Sequence, residues 1–155
     1  MRTILVAVDG SACAARAIEE VIKLTRQSGP MDLHLINVQP RMFSEESLVY
    51  GDMSRIDKFY YEQGGKALAP SELALKAAGI AFTSHRGMGP VADTIVGKAR
   101  ELNADGILMG THGHGQIAGM LLGSVANKVM HLSAVPVTLV RGEPPVDFTG
   151  RVGAM

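Results

Sequence analysis

Residues 105–124 read DGILMGTHGHGQIAGMLLGS. The apolar run from Asp105 to Met109 predicts a short buried strand, and Gly110 to Gly123 a glycine-dense loop. Gly123-Ser124 predicts the start of a helix in which Val125, Val129 and Leu132 fall in register. The same strand–helix alternation extends from this stretch in both directions. That pattern predicts an α/β fold: a parallel sheet covered by helices on both faces.

Towards the N-terminus, Ile4 to Val8 is a continuous apolar run, as expected of a central strand buried on both faces. Asp9-Gly10-Ser11 follows, with Ser11 placed to cap a helix carrying Ala14, Ala17, Ile18, Val21 and Ile22. Gly29-Pro30 ends that helix, and Asp32 to Val38 reads as a second strand. Residues 39–54 read as a long loop, of a length often used for lids or binding segments. Ile56, Phe59, Tyr60, Ala67, Leu68, Leu75 and Ala78 form a helical stripe, with a kink or break expected at Gly64-Gly65 and Pro70. Ile80 to His85 reads as a third strand. Gly87 and Gly89-Pro90 then turn the chain into a helix with Val91, Ile95, Ala99 and Leu102 on one face. Val135 to Val140 is the last strand, and Pro136, which has no N–H to donate, suits its start or a sheet edge. The tail from Gly142 has no periodicity and is expected to be disordered, which leaves residues 1–141 as one domain and 142–155 as the tail.

Composition bounds the function. A chain of 155 residues is about one domain. At 46% hydrophobic and 19% charged it is globular rather than disordered. A formal net charge of zero gives no electrostatic footprint for nucleic acid or an anionic membrane. A single cysteine rules out an intrachain disulfide and fits a reducing compartment. The apolar N-terminal run is too short for a signal-peptide core or a membrane span, so the expected location is the cytoplasm.

The chemistry concentrates in the loop. In open α/β sheets, ligands bind beyond the carboxyl ends of the strands, at a switch in strand order. Glycines there let backbone amides approach phosphate oxygens, and the helix start at Gly123-Ser124-Val125 adds amides and a positive dipole end. Ser124 adds a hydroxyl. A glycine-rich connection with no ligand is the alternative reading. Gly110 and Gly113 are separated by two residues, and nine more then precede Gly123-Ser124. This G-x2-G-x9-G-[S/T] spacing resembles the ATP-binding branch of the universal stress protein family. ILVAVDGS resembles that family's opening segment, DGILMGTHG its fourth strand and loop, and VPVTLV its closing strand, so the likeness spans residues 2–141.

The resemblance implies a five-stranded parallel sheet in the order 3-2-1-4-5, Rossmann-like, with Asp9 beside Gly110. It implies that Asp9 and the backbone around Val38 contact ribose and adenine. Gly110, Gly113, Gly123, Ser124 and Val125 would hold ribose and phosphates. The ligand would be ATP, or ADP or AMP, with Mg²⁺ carried on the nucleotide. Asp9 has a second reading, as an acid capping the first helix. His112 and His114 read as exposed loop histidines, too few for a structural zinc site. Cys13 reads as a small space-filling residue near the ligand, with redox sensitivity as the alternative. Met109, Met120 and Met130 read as packing residues, and Met42 and Met53 as candidate adenine contacts.

With no Walker A lysine, general base or arginine finger in view, any hydrolysis is expected to be slow. The function implied is a nucleotide-binding regulator of the stress response. A phosphotransferase or adenylating enzyme on the same fold is one alternative, and a dimeric interaction module without nucleotide is another. The resemblance also implies a homodimer through Val135 to Val140.

Overall fold

The computed structural model describes residues 1–40, 53–113 and 122–142. Among the described residues five strands, β1 (Thr3–Ala7), β2 (Asp32–Gln39), β3 (Thr83–Met88), β4 (Gly106–Gly110) and β5 (Val137–Val140), alternate with four helices. The helices are α1 (Ala12–Ser28), α2 (Met53–Ala77), α3 (Val91–Glu101) and α4 (Ser124–Leu132). All strand pairs are parallel, in the order β3-β2-β1-β4-β5, as expected.

Alternation within the central strands explains why both faces are covered. Leu5, Ile36, Ile107 and Met109 point into one core, shared with Ile95 of α3 and Val129 of α4. Val6, Leu35 and Leu108 point the other way, into a core shared with Ile18 of α1 and Leu68 of α2. A strand buried on both sides has no polar positions to spend, hence the unbroken apolar runs.

Strand boundaries differ most at β3. Residues 80–82 precede the strand because Gly79, at φ +71°, ends the helical segment in a left-handed turn. The Gly79 amide donates to the Lys76 carbonyl at 3.0 Å and the Ile80 amide to the Leu75 carbonyl at 3.0 Å. This double bond is a Schellman closure, and Ile80 supplies its hydrophobic contact by packing on the α1/α2 core. The apolar residues Ile80 and Phe82 therefore mark a helix end, while β3 itself is a half-exposed edge strand. At the other edge β5 begins two residues later than expected. Pro136 leads into it and still accepts a bond from the Ile107 amide at 2.9 Å.

Of the kink or break expected in the second helix, the break does not occur: α2 runs unbroken past Gly64-Gly65 and Pro70. The two glycines face Arg86 and Asn37. A Cβ on Gly65 would lie 2.8 Å from Nη2 of Arg86, and one on Gly64 3.6 Å from Oδ1 of Asn37. The Arg86 guanidinium lies 4.1 Å from the Tyr61 ring centroid and donates to the Tyr61 carbonyl at 3.1 Å. Leu68 and Leu75, one on each side of Pro70, are both fully buried, so packing holds the helix through the proline. Residues 41–52, including Met42, lie outside the described residues, as do 143–155 of the tail. Among the described residues no helix is long and apolar enough to cross a membrane.

If α2 is docked as one unit, Leu68→Ala costs about 2–5 kcal/mol by cavity formation. Leu73→Ala, at a position 71% exposed, shifts stability by less than about 0.5 kcal/mol. Urea denaturation of the two variants checks this.

Candidate functional site

A cavity of about 360 Å³ opens at the carboxyl ends of β1 and β4, within the range of small-molecule sites. Asp9, Val38, Gly110, Gly113, Gly123, Ser124 and Val125, the seven residues singled out in the sequence, all line it.

The turn after β1 is built by Asp9 itself. Its Oδ1 accepts from the Ser11 amide at 2.9 Å, Gly10 takes φ +79°, and Ser11 caps α1 by accepting from the Ala14 amide at 3.1 Å. Ser11 is thus the cap, and Asp9 shapes the turn before it. The other carboxylate oxygen faces the loop after β4, since a Cβ on Gly113 would stand 2.5 Å from Oδ2. Gly113 is therefore the residue against which Asp9 sits. Gly110 answers to a different neighbour: a Cβ there would stand 2.7 Å from Sγ of Cys13.

Cys13 does not line the cavity. It is buried between α1 and β4–β5, with its thiol 3.3 Å from the Val140 carbonyl and 3.8 Å from Oγ1 of Thr111. Its space-filling role holds, but beneath the sheet end rather than beside the cavity. Met53 also stays outside the cavity, at the exposed start of α2, and Met130 is 44% exposed rather than packed.

The loop is tied at its base. The Thr111 amide donates to the Val140 carbonyl at 2.9 Å, and the Thr111 carbonyl accepts from the Gly123 amide at 2.7 Å. The Gly123 amide is thus engaged, contrary to the expectation that it is open to an anion. The anion-seeking groups are the amides of the first turn that follows. Gly123 caps α4 without a side-chain bond, and no acidic residue sits in that turn to neutralise the dipole.

His112 also differs from expectation. It lines the cavity half-buried, with Nδ1 3.0 Å from Oγ1 of Thr111. His114 lies outside the described residues. The lining also includes the apolar Ile36 and Val38 of β2, with Asn37 between them, and Val91 and Ile95 of α3. Thr111 and the α3 pair were missed by sequence reasoning. Thr111 lay inside the quoted motif, whereas the helical spacing of Val91 and Ile95 signals only burial. The arrangement suits a ligand with a flat apolar end and an anionic end, joined by a polar part that can meet a carboxylate.

The sequence model of the universal stress protein family matches residues 1–141. The chain belongs to that family. Universal stress protein YxiE of Bacillus subtilis (strain 168) is 30% identical over 144 residues, covering 88% of this chain and 97% of its own. The solved structure of MJ0577 superposes with a TM-score of 0.76 at 23% identity, over 93% of this chain and 98% of its own. A universal stress protein solved in complex with cAMP gives a TM-score of 0.66 at 25% identity, over 90% and 96% of the two chains. The family's Rossmann-like sheet order is thus the one found here.

The contact between Gly110 and Cys13 can be tested without any ligand. Gly110→Ala should cost about 1–3 kcal/mol by overpacking. Adding Cys13→Ala should recover part of that loss, because the thiol is removed while Cβ at 3.1 Å remains. A double-mutant cycle in urea reads the coupling.

Proposed function

We propose that this universal stress protein binds an adenine nucleotide in the cavity and acts as a nucleotide-dependent regulator of the stress response. The observation that carries the reading is the polarity of the cavity. Its lining combines the Asp9 carboxylate against Gly113 and the start of α4, which has no side-chain cap, with the apolar Ile36, Val38, Val91 and Ile95. Adenine fits the apolar wall, with the β2 backbone at Val38 reading its edge. Asp9 accepts hydrogen bonds from ribose hydroxyls. Gly110 and Gly113 admit the ribose and phosphates to the backbone, and Gly123, Ser124 and Val125 present the helix start to the phosphates. The similar universal stress protein solved with cAMP supports an adenine nucleotide as the ligand class.

Within that class the proposed ligand is ATP, with ADP and AMP as its shorter relatives. Mg²⁺ would arrive on the nucleotide, since the described residues hold no group of three or more metal-ligating side chains. The chain carries no Walker A lysine, so the nucleotide is bound and released rather than turned over quickly. We place the protein in the cytoplasm, with residues 1–141 as the binding domain.

Titration calorimetry with ATP and with adenosine tests the assignment. Asp9→Ala should weaken both ligands by a similar factor, about 10- to 100-fold for a hydrogen bond to a charged group. Ser124→Ala should weaken ATP and leave adenosine unchanged. A folded Asp9→Ala protein with unaltered affinity for both ligands would remove Asp9 from the site, and a wild type that binds neither ligand would remove the nucleotide reading.

We also propose a homodimer through β5. This strand has β4 on one side and is an edge on the other, and its residues 137–140 carry no charge. Such an edge invites antiparallel pairing across a two-fold axis, where one substitution strikes the interface twice. Val137→Asp should turn a dimer into a monomer in light scattering, while a chain ending at Arg141 should stay dimeric. A full-length monomer that dimerises only after truncation would mean that the tail covers the edge.

A further inference from the structure

Apart from the cavity, a cluster of titratable side chains lies where edge strand β3 meets β2. His34 and His85 sit on the face that α3 covers, with Nδ1 of His34 2.9 Å from Nε2 of His85. On its far side, Nε2 of His34 is 3.2 Å from Oδ2 of Asp32, an oxygen that also accepts from Oγ1 of Thr3 at 3.3 Å. From α3 the groups acting on His85 are Lys98 and Glu101, themselves paired at 3.0 Å. The His34 side chain is only 12% exposed.

A hydrogen bond between two imidazoles needs one hydrogen between two nitrogens. When both rings are neutral, the His34 proton sits on Nε2 towards Asp32, and Nε2–H of His85 donates to Nδ1 of His34. One further proton is accommodated. It enters at Nδ1 of His85, the bridging proton passes to Nδ1 of His34, and the positive charge rests beside the Asp32 carboxylate. The bridge survives with its donor reversed. A second added proton leaves an N–H on each ring directed at the other, and the bridge is lost.

We propose that Asp32, His34 and His85 form a proton-operated clasp that fastens β3 to β2 while the trio carries at most one added proton and releases the edge when it takes a second. The placement gives the release consequences. Among the described residues strand β3 has β2 as its single strand neighbour. Two residues beyond His85, a Cβ on Gly87 would stand 2.9 Å from Cγ2 of Thr94 in α3, so the strand and α3 are in close contact there. The Gly89 amide, in the turn into α3, donates to the Gln39 carbonyl at 3.0 Å.

Burial first, then Lys98 and His34, push His85 below the ordinary histidine value of 6.5, and Glu101 opposes them in part. A histidine depressed in the fold binds fewer protons than the unfolded chain between the two values. Its contribution to stability is therefore whole above the unfolded value and is lost as pH falls towards the folded one. The clasp holds at neutral pH and opens in acid.

Amide exchange read as protection factors at pH 7.5 and 5.0 tests this, with β4 as the internal reference. In wild type, β3 protection should fall about tenfold further than β4 protection, as a local opening does. His85→Gln keeps a nitrogen donor near the Nε2 position but cannot titrate, and should abolish the difference. Equal acid loss of β3 protection in the two proteins overturns the proposal, as does a wild type with no difference between strands. Should His85→Gln fail to fold, imidazole resonances of the wild type decide. Two coupled steps, the second well below the first, support the clasp, and two independent titrations near 6.5 overturn it.

Discussion

The pairing of β1 with β4 is the constraint on which the rest of the molecule depends. Val6 lies beside Leu108 and Ala7 beside Met109, joining segments about a hundred residues apart. The pair is fixed at its start by a reciprocal bond: the Asp105 amide donates to the Thr3 carbonyl at 2.8 Å, and the Thr3 amide to Oδ2 of Asp105 at 2.8 Å. From this pair the chain leaves in opposite directions. After β1 it turns under the sheet into α1, and after β4 it turns over the sheet towards α4. Two adjacent strands whose continuations diverge to opposite faces leave a gap at their ends. The cavity is that gap, and the same divergence sets Asp9 against Gly113.

The glycines of the motif then divide into different kinds of necessity. Gly110 is required by Cys13 and α1, and would be required with no ligand at all. Gly113 is required by Asp9, so its smallness serves the carboxylate before any phosphate. Gly123 lets the Thr111 carbonyl come within 3.2 Å of where its Cβ would be and ties off the loop. The spacing thus encodes a scaffold first. What that scaffold adds around the cavity is the start of α4 and the Ser124 hydroxyl.

This explains how much the sequence could tell. Central strands were legible because burial on both faces forces continuous apolar runs, as in Ile4 to Val8 and Asp105 to Met109. The edges were less legible: β3 mixes Ser84, His85 and Arg86 with glycine, and the more apolar Ile80 and Phe82 beside it serve the end of α2. Gly64-Gly65 and Pro70 suggest a break on local propensity alone, whereas the burial of Leu68 and Leu75 on either side of Pro70 holds the helix through it. That the seven singled-out residues gather round one cavity was legible through a fixed spacing and a familiar strand order. Val91 and Ile95 were not, since a residue that walls a cavity and one that fills a core carry the same periodic signal. The loop position of His112 signals exposure, while its bond to Thr111 depends on how the loop base is tied.

Helix α3 connects the two ends of this logic. Its first turns supply Val91 and Ile95 to the cavity, and Thr94 between them rests against Gly87 of β3. The floor of the cavity belongs to β1 and β4, deep in the sheet, whereas this wall belongs to a helix held in part by an edge strand. A ligand touching both floor and wall is sensitive to how firmly α3 is seated. Binding energies are reciprocal: whatever loosens α3 weakens such a ligand, and such a ligand tightens α3 by the same free energy. The Asp32–His34–His85 clasp lies at the β3 margin of this unit, and the uncapped start of α4 at the other side of the cavity. An acid-induced release at the edge would therefore reach the apolar wall first and leave the Asp9–Gly113 contact, anchored by β1 and β4, in place. Loss of grip on the flat end of a ligand, with the anionic end still held, is the partial release that this geometry favours.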